Sequence, residues 1–207
     1  MSDTDSHFDK VYAAETQEER DAVYTSWSAT YEHDVMAAGY MTPARCAAAL
    51  SRHAENLDIP ILDIGCGTGL SGMAMTGSGF TTIDGSEINT EMRTIAEDRA
   101  IYRKLFAGDA DNPFPFEPGA YDAITAVGVI GAGAAPLSLL QAAFDYLSPG
   151  ALCVFSFNDH TLEDPSYKDF VEDQEKSGHL SILEDEHGLH LPGKDMGARV
   201  YVVRITE

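Results

Sequence analysis

The chain has 207 residues, of which 44% are hydrophobic, so it can form one domain with a full hydrophobic core. No apolar run reaches the length of a membrane span. The formal net charge of −21 disfavours nucleic-acid backbones and anionic membranes, so we expect a small-molecule partner, no nucleic acid and no membrane. A high negative charge can also serve solubility or reflect adaptation to a salty habitat. The charge therefore does not identify the ligand.

The N-terminal stretch and the cysteines bear on localisation and redox chemistry. Residues 1–5 lack the basic and apolar regions of a secretory signal, so we expect a cytoplasmic protein. The three cysteines have no C-x-x-C spacing, which favours neither a disulfide framework nor a zinc site. We expect a monomer or a dimer, organised as a single domain over residues 1–207.

The first part of the chain, about residues 8–55, is predicted to form an N-terminal helical cap. A helix over residues 17–38 is indicated by residues at near-helical spacing, namely Val23, Trp27, Tyr31 and Val35. A second helix is expected to follow, because Thr42 can cap it and Pro43 suits its first position.

The remainder, residues 59–207, alternates between apolar strands and helices. Strands are predicted at residues 59–64, 80–84, 104–107, 121–127, 151–157, 180–183 and 198–205. Helices are predicted from about residue 70 and at residues 89–99, 135–147 and 163–177. This alternation predicts an α/β fold, Rossmann-like and doubly wound, with a mostly parallel seven-stranded sheet. The last two strands lack an intervening helix, so an antiparallel C-terminal strand is expected.

The most informative segment runs from Ile61 to Gly69, where an apolar strand breaks into a glycine-spaced loop. An open α/β sheet holds its ligand at such a place, the carboxyl end of a strand. Glycine permits close approach of the backbone and the positive φ of tight turns. The segment from Gly67 to Gly72 also matches the dinucleotide pattern G-x-G-x-x-G.

Acidic residues follow at positions that suit a nucleoside ligand. A carboxylate about 20 residues after the glycines can accept from both ribose hydroxyls, and Asp84 and Glu87 both lie in range. Asp63, at the end of the first strand, favours an ammonium-bearing ligand over a pyrophosphate. Asp109, after the third strand, can accept from an adenine amine, and the backbone of Ala110 can serve the ring. These positions favour a nucleoside-binding methyltransferase over a nicotinamide enzyme.

The segment from Ile61 to Phe157 resembles the class I S-adenosylmethionine-dependent methyltransferases. The resemblance is carried by residues 62–69 (LDIGCGTG), 83–92, 108–110, 113–116, 121–124 and 147–150. Residues 24–34 are similar to the helix that covers the cofactor in small-molecule members. Together with Gly39, Tyr40 and residues 167–178, they resemble the Williams–Beuren syndrome critical-region methyltransferase-like branch. The resemblance implies methyl transfer from S-adenosylmethionine to an unidentified small-molecule acceptor, with Glu87 as the ribose ligand.

The residues expected to contact the cofactor come from the sheet edge and from the cap. They are Asp63, Gly65, Cys66, Gly67, Gly69, Glu87, Ile88, Asp109, Ala110, Val127, Trp27 and Tyr31. For the two cap aromatics, the alternative is packing of the helix face against the sheet. For Cys66, a small residue in a tight turn is expected rather than a nucleophile.

Candidates for acid–base chemistry are few, and methyl transfer requires a base only if the acceptor must lose a proton. The weak candidates are His160, after the fifth strand, and His33 and Tyr31, on the covering helix. Residues 127–134, where many family members carry a histidine, offer no acid–base side chain. Three further histidines lie close together in sequence, namely His179, His187 and His190. Their spacing is not that of a metal-binding pair on one helix, so we expect them to lie in an exposed loop and to bind no metal.

Two alternatives stay open at this stage: an NAD(P)-dependent oxidoreductase, and a non-catalytic nucleoside-binding module of the same fold. We also expect residues 8–40 to form a mobile lid that orders over bound cofactor. The alternative is a helix packed permanently on the sheet.

Overall fold

The computed structural model describes residues 3–14, 16–109, 111–131 and 133–206. The strands are β1 (Ile61–Ile64), β2 (Ile83–Glu87), β3 (Lys104–Ala107), β4 (Ala123–Ala126), β5 (Leu152–Asn158), β6 (Leu180–Leu191) and β7 (Met196–Ile205). The helices are α1 (Asp3–Ala13), α2 (Gln17–Ala37), α3 (Thr42–His53), α4 (Leu70–Gly77), α5 (Thr90–Asp98), α6 (Leu137–Tyr146) and α7 (Ser166–Lys176).

The strands form one seven-stranded sheet in the order β3-β2-β1-β4-β5-β7-β6. β1 to β5 pair in parallel, and β7 runs antiparallel to both β5 and β6. The predicted Rossmann-like fold with an antiparallel C-terminal strand is therefore confirmed. The strand order reverses between β1 and β4, and a crevice opens at the carboxyl ends of the strands at such a switch point.

Helices cover both faces of the sheet. Consecutive residues of a strand point to opposite faces, so neighbours in sequence pack against different helices. Ile61 and Val154 pack in a buried cluster with Leu50 of α3. Leu62 and Phe155, their neighbours in sequence, pack in a second cluster with residues of α6 and α7. A third, smaller cluster lies in the helical cap, which we define as α1 and α2. Among the described helices, none combines the length and apolar character that a bilayer crossing requires.

Several predicted boundaries differ from the structure. The sequence pattern did not predict α1, and β2 begins at Ile83 rather than residue 80, so that Glu87 is its last residue. β6 continues to Leu191, because its polar residues pair along β7 although they lack an apolar pattern. The exposed loop expected for the three histidines is therefore wrong for His187 and His190, which lie in this strand and of which His190 is buried, whereas His179 precedes the strand.

The capping predictions had mixed outcomes. Asn89 caps α5 as expected, and its Oδ1 accepts from the Met92 amide at 3.0 Å. Thr42 does not cap α3, because Met41 is the N-cap residue and Thr42 lies within the helix. The Thr42 hydroxyl instead lies 2.7 Å from Nδ1 of His190, which joins α3 to β6.

Candidate functional site

A cavity of about 400 Å³ opens at the carboxyl ends of β1, β2 and β4. We call it the main cavity. Its size is that of small-molecule sites in proteins. On one side lies the glycine loop, which we define as residues 65–69, and on the other side lies α2. The predicted cofactor residues that line it are Gly65, Cys66, Gly67, Glu87, Ile88, Asp109, Val127 and Tyr31.

The glycine loop packs tightly on one side and is open on the other. Gly65 and Gly67 have φ values of 60° and 56°, which L side chains rarely adopt. A Cβ added at Gly65 would lie 2.7 Å from Cγ2 of Val129, whereas one at Gly67 would meet nothing within 4 Å. Gly67 therefore leaves space in which a ligand can approach the backbone closely.

Glu87 ties the end of β2 to the glycine loop. Its Oε2 accepts from the Gly67 amide at 2.8 Å, and its Oε1 accepts from the Asn89 amide at 2.7 Å. Burial raises the pKa of Glu87, although these backbone donors act against the shift. The carboxylate lines the main cavity, where it remains available to further donors.

Asp84, the other ribose candidate, lies away from the main cavity. It is 1% exposed, and its carboxylate accepts from Arg103 at 2.7 and 2.9 Å and from the Tyr121 hydroxyl at 2.9 Å. Burial would raise the pKa of Asp84, but these donors outweigh burial and hold it below its usual value. Of the two candidates, only Glu87 is placed to meet a ligand in this cavity.

Asp63 lies behind the glycine loop instead of lining the main cavity. Its carboxylate is fully buried and accepts from the hydroxyls of Thr125 at 2.7 Å, Ser71 at 2.5 Å and Tyr102 at 2.7 Å. Burial raises the pKa of Asp63, and the three hydroxyl donors reduce that effect. Asp63 does not line the main cavity, so it is not placed to contact a ligand ammonium directly. Ser71, whose hydroxyl donates to Asp63, does line the cavity.

The residue pattern G-x-G-x-x-G has a packing explanation here. A Cβ at Gly72 would lie 2.5 Å from the Tyr102 hydroxyl, and a Cβ at Gly85 would lie 3.0 Å from Cδ1 of the same ring. Gly72, the last glycine of the pattern, and Gly85 of β2 therefore leave space for the tyrosine that donates to Asp63. Gly69 has φ 92° and is the N-cap residue of α4, outside the cavity lining. Sequence reasoning missed Tyr102, since nothing near it in sequence marks it.

The cap contributes tyrosines to the main cavity but not its tryptophan. Tyr24 and Tyr31 line the cavity, as does Tyr40 after α2. Trp27 is 2% exposed, and its Nε1 donates to Asp34 Oδ2 at 2.8 Å within the cap. Contact between Trp27 and a ligand in the main cavity is thus not indicated by its position.

Two polar tethers hold the cap over the glycine loop. The side-chain amide Nδ2 of Asn89 donates to the Asp21 carboxylate at 2.7 Å and to the Thr25 hydroxyl at 2.8 Å. Arg99 Nε donates to the Thr68 carbonyl of the loop at 2.7 Å, and its Nη2 pairs with Glu32 of α2. Arg99 therefore bridges the two sides of the main cavity.

The remaining candidates do not gather into a catalytic group. His33 is exposed, and His160 pairs with Glu163 at 3.5 Å; neither lines the main cavity. Burial raises the pKa of the Cys66 thiol, so it stays protonated. Ala110 lies outside the described residues. Within the described ranges, no three His, Cys, Asp or Glu residues are grouped to hold a metal ion.

A second, smaller pocket of about 70 Å³ adjoins the main cavity. We call it the inner pocket. It lies between the cap and the carboxyl ends of β4 and β5, and Trp27, Asn158 and His190 are among its walls. It shares five lining residues with the main cavity: Tyr24, Tyr31, Tyr40, Gly128 and Ala134.

The seven-stranded sheet and the glycine loop define a Rossmann-like methyltransferase fold. A family model described as a methyltransferase domain matches residues 38–200. The match covers most of the sequence, and the chain therefore belongs to this methyltransferase domain family.

Individual relatives agree with this assignment. The probable 18S rRNA (guanine-N(7))-methyltransferase of Dictyostelium discoideum is 37% identical over 82 residues, which cover 40% of this chain and 28% of that protein. Human methyltransferase-like protein 27 is 26% identical over 137 residues, which cover 63% of this chain and 55% of that protein. This chain thus spans about a quarter of the first relative and about half of the second.

Among solved structures, magnesium protoporphyrin IX methyltransferase from Synechocystis PCC 6803, which contains bound SAM, has a TM-score of 0.62. It is 14% identical, and the match covers 99% of this chain and 92% of that chain. This likeness shows the fold.

The Dictyostelium relative is named for an action on RNA, so it conflicts with the expected absence of a nucleic-acid partner. Acidic charge alone therefore does not exclude RNA as the acceptor.

Proposed function

We propose that the protein transfers a methyl group from S-adenosylmethionine to a small-molecule acceptor. The observation that carries this proposal is the Glu87 carboxylate, fixed by the amides of Gly67 and Asn89 at the edge of the main cavity. A carboxylate held in this way is suited to accept from the two ribose hydroxyls of an adenosyl group. Asp109, on the same cavity, would accept from the adenine amine.

The glycine loop fits the other end of such a cofactor. Space is open beside Gly67, and the buried Thr68 hydroxyl has no hydrogen-bond partner in the described part of the chain. Because an unpaired buried hydroxyl is costly, a polar ligand group that binds it would be favoured. Tyr31 and Tyr40 border the same cavity, and an aromatic face presented there would favour a positive sulfonium.

The bound cofactor would supply an activated methyl group, whose carbon–sulfur bond breaks with its electron pair left on sulfur. The chain's own contribution is to position the acceptor and to exclude water, which supplies most of the catalysis for in-line displacement. No histidine lines the main cavity among the described residues. His33, His160 and Tyr31 stay candidates for catalysis only if the acceptor must lose a proton.

Charge favours a small molecule over RNA as the acceptor. The cavity carries the carboxylates of Asp21, Glu87 and Asp109, and Arg20 is the basic residue among the described lining. A phosphate backbone would be repelled by this edge and by the net charge of −21. We further propose a cytoplasmic monomer or dimer. We also propose that it belongs to the Williams–Beuren critical-region methyltransferase-like branch, because of the segment Tyr24 to Asp34 with Gly39, Tyr40 and residues 167–178.

Calorimetric titration with S-adenosylhomocysteine and with NADH tests the cofactor. We expect S-adenosylhomocysteine to bind and NADH not to bind. Binding of NADH alone would instead support an oxidoreductase. Methyl transfer is then assayed against a metabolite library and, in parallel, against an 18S rRNA fragment. Methylation of the rRNA fragment alone would overturn the small-molecule proposal, and cofactor binding without turnover on either panel would favour a non-catalytic module.

A further inference from the structure

The inner pocket carries no formal charge on any of its described walls at neutral pH. Its titratable side chains are tyrosines and His190. Burial lowers the pKa of His190 to about 4, so the imidazole is neutral. Burial also raises the pKa of Tyr24 to about 12 and that of Tyr31 well above its usual value. A charged ligand group would find no partner there, and burying an unpaired charge is strongly unfavourable.

Three tyrosines border both the inner pocket and the main cavity. Tyr24, Tyr31 and Tyr40 line both spaces. Within the described ranges, none of their hydroxyls hydrogen-bonds to another group of the protein. A Cβ on Gly128 would lie 2.7 Å from the Tyr40 hydroxyl, so this glycine makes room for the tyrosine. The junction therefore offers several donors with no internal acceptor.

The rest of the inner pocket is narrow, and its walls combine aromatic rings with the uncharged polar side chains of Ser156, Asn158 and Thr161. Trp27 meets Tyr31 edge to face at a centroid distance of 4.9 Å, and Tyr40 meets His190 in the same manner at 5.3 Å. The volume of about 70 Å³ is less than half of the roughly 150 Å³ of an apolar cavity that holds benzene, so the inner pocket takes one edge of a ring while the remainder lies at the junction with the main cavity. A purine with its ribose and phosphate does not fit in such a volume.

We propose that the inner pocket binds the methyl acceptor, and that it takes an uncharged aromatic or apolar group with one oxygen presented to the tyrosine hydroxyls. This inference rests on the proposed function, because it needs the cofactor in the adjoining main cavity. The acceptor atom would then lie at the junction of the two spaces, between the tyrosines and the glycine loop.

Trp27 emission reports on this proposal directly, because Trp27 is the single tryptophan and lines the inner pocket. Protein saturated with S-adenosylhomocysteine is titrated with p-cresol, 4-hydroxybenzoate and tyramine, which share a phenol and differ in charge. We expect p-cresol to change the emission, and the two charged probes to bind at least about tenfold more weakly. Tyr40→Phe should weaken p-cresol about three- to tenfold by removing one donor.

A matched pair of variants locates the site. Val11 lines the inner pocket, whereas Val23 lies in the same aromatic cluster of the cap and lines neither space. Val11→Phe should fill the pocket and weaken p-cresol at least about tenfold, and Val23→Phe should leave it unchanged. Calorimetry shows that each variant still binds S-adenosylhomocysteine, which also verifies that it is folded.

The outcomes separate this inference from the proposed function. If S-adenosylhomocysteine does not bind to the wild-type protein, the proposed function fails. If it binds but the charged probes bind as well as p-cresol, the inner pocket is not a neutral acceptor site. A change in Trp27 emission caused by a guanine-containing RNA oligonucleotide, and not by p-cresol, would also overturn the inference.

Discussion

The glycine loop and the helical cap enclose the same cavity from opposite sides, yet different contacts hold them. The loop is fixed by hydrogen bonds from its backbone amides, from Gly67 to the Glu87 carboxylate at 2.8 Å and from Cys66 to the Ser86 carbonyl at 3.1 Å. Behind it, Asp63 gathers three buried hydroxyls. The cap instead packs through aromatic side chains around Trp27, with a small number of polar tethers to the rest of the protein.

This difference predicts different dynamics. A loop held by buried hydrogen bonds on a parallel sheet opens only with the whole domain, whereas helices held by side-chain tethers open locally. We therefore expect the loop to be preorganised for the nucleoside, and the cap to order when the ligand binds. The predictions that follow test each side of this comparison, from the largest expected effect to the smallest.

The largest effect is expected for Gly65→Ala. A non-glycine residue at positive φ costs about 1–2 kcal/mol, and contact of the new Cβ with the Val129 side chain adds about 1–3 kcal/mol. The free energy of unfolding, measured in urea, should fall by about 2–5 kcal/mol. Gly67→Ala has the same backbone strain but no clash, so its loss should be about 1–2 kcal/mol.

The same pair separates folding from binding. Gly67→Ala should weaken S-adenosylhomocysteine at least about tenfold, because its Cβ enters the space beside the loop. Gly178→Ala is the control, since it also has positive φ and open surroundings but lies far from the site in sequence, outside the cavity lining. Equal ligand affinity in Gly67→Ala and Gly178→Ala would show that the loop does not approach the ligand closely.

An intermediate effect is expected from pH. The pKa of Glu87 is raised by burial, so the free protein takes up this proton at a higher pH than an ordinary glutamate does. Because ribose hydroxyls donate to the charged form, affinity for S-adenosylhomocysteine should fall as pH falls through that pKa, approaching tenfold per pH unit. Glu87→Gln should flatten this dependence. A profile unchanged by Glu87→Gln would show that another group titrates.

The smallest effect is expected for Arg99→Met, which removes the bridge between Thr68 and Glu32. The loss of stability should be about 1 kcal/mol, since the ion pair is partly exposed. Hydrogen exchange in residues 17–37 should nevertheless become faster, and S-adenosylhomocysteine should slow it in the wild-type protein. Lys168→Met, which removes an exposed charge on α7, is the control. Identical exchange with and without ligand would favour a permanently packed cap.

The sheet and its nucleoside edge could be predicted from sequence because local patterns encode them. Apolar runs mark the buried strands, and the spacing from Gly67 to Glu87 brings both residues to one edge of a parallel sheet. The boundaries of β2 were predicted three residues too early, because Phe80 is apolar and buried although it precedes the strand. Asn89 was recognised because helix capping is also a local signal.

The acceptor side and the buried network could not be predicted, since they depend on long-range packing. The walls of the inner pocket come from α1, from the segment after β4 and from β6, which no single sequence pattern links. Tyr102 reaches Asp63 from 39 positions away through a slot between two glycines. The expectation that Trp27 contacts the cofactor did not consider Asp34, which lies seven residues later and accepts a hydrogen bond from the indole within the cap.

The central claim, that the main cavity binds an adenosyl cofactor through Glu87, is tested most directly by calorimetric titration of two alanine variants. Glu87→Ala should bind S-adenosylhomocysteine about 10- to 150-fold more weakly than wild type, which corresponds to about 1.5–3 kcal/mol for a charge-assisted hydrogen bond. Asp84→Ala, measured at a temperature where it is folded, should bind like wild type, because its carboxylate faces Arg103 and Tyr121. Wild-type affinity in Glu87→Ala together with lost affinity in Asp84→Ala would contradict the claim.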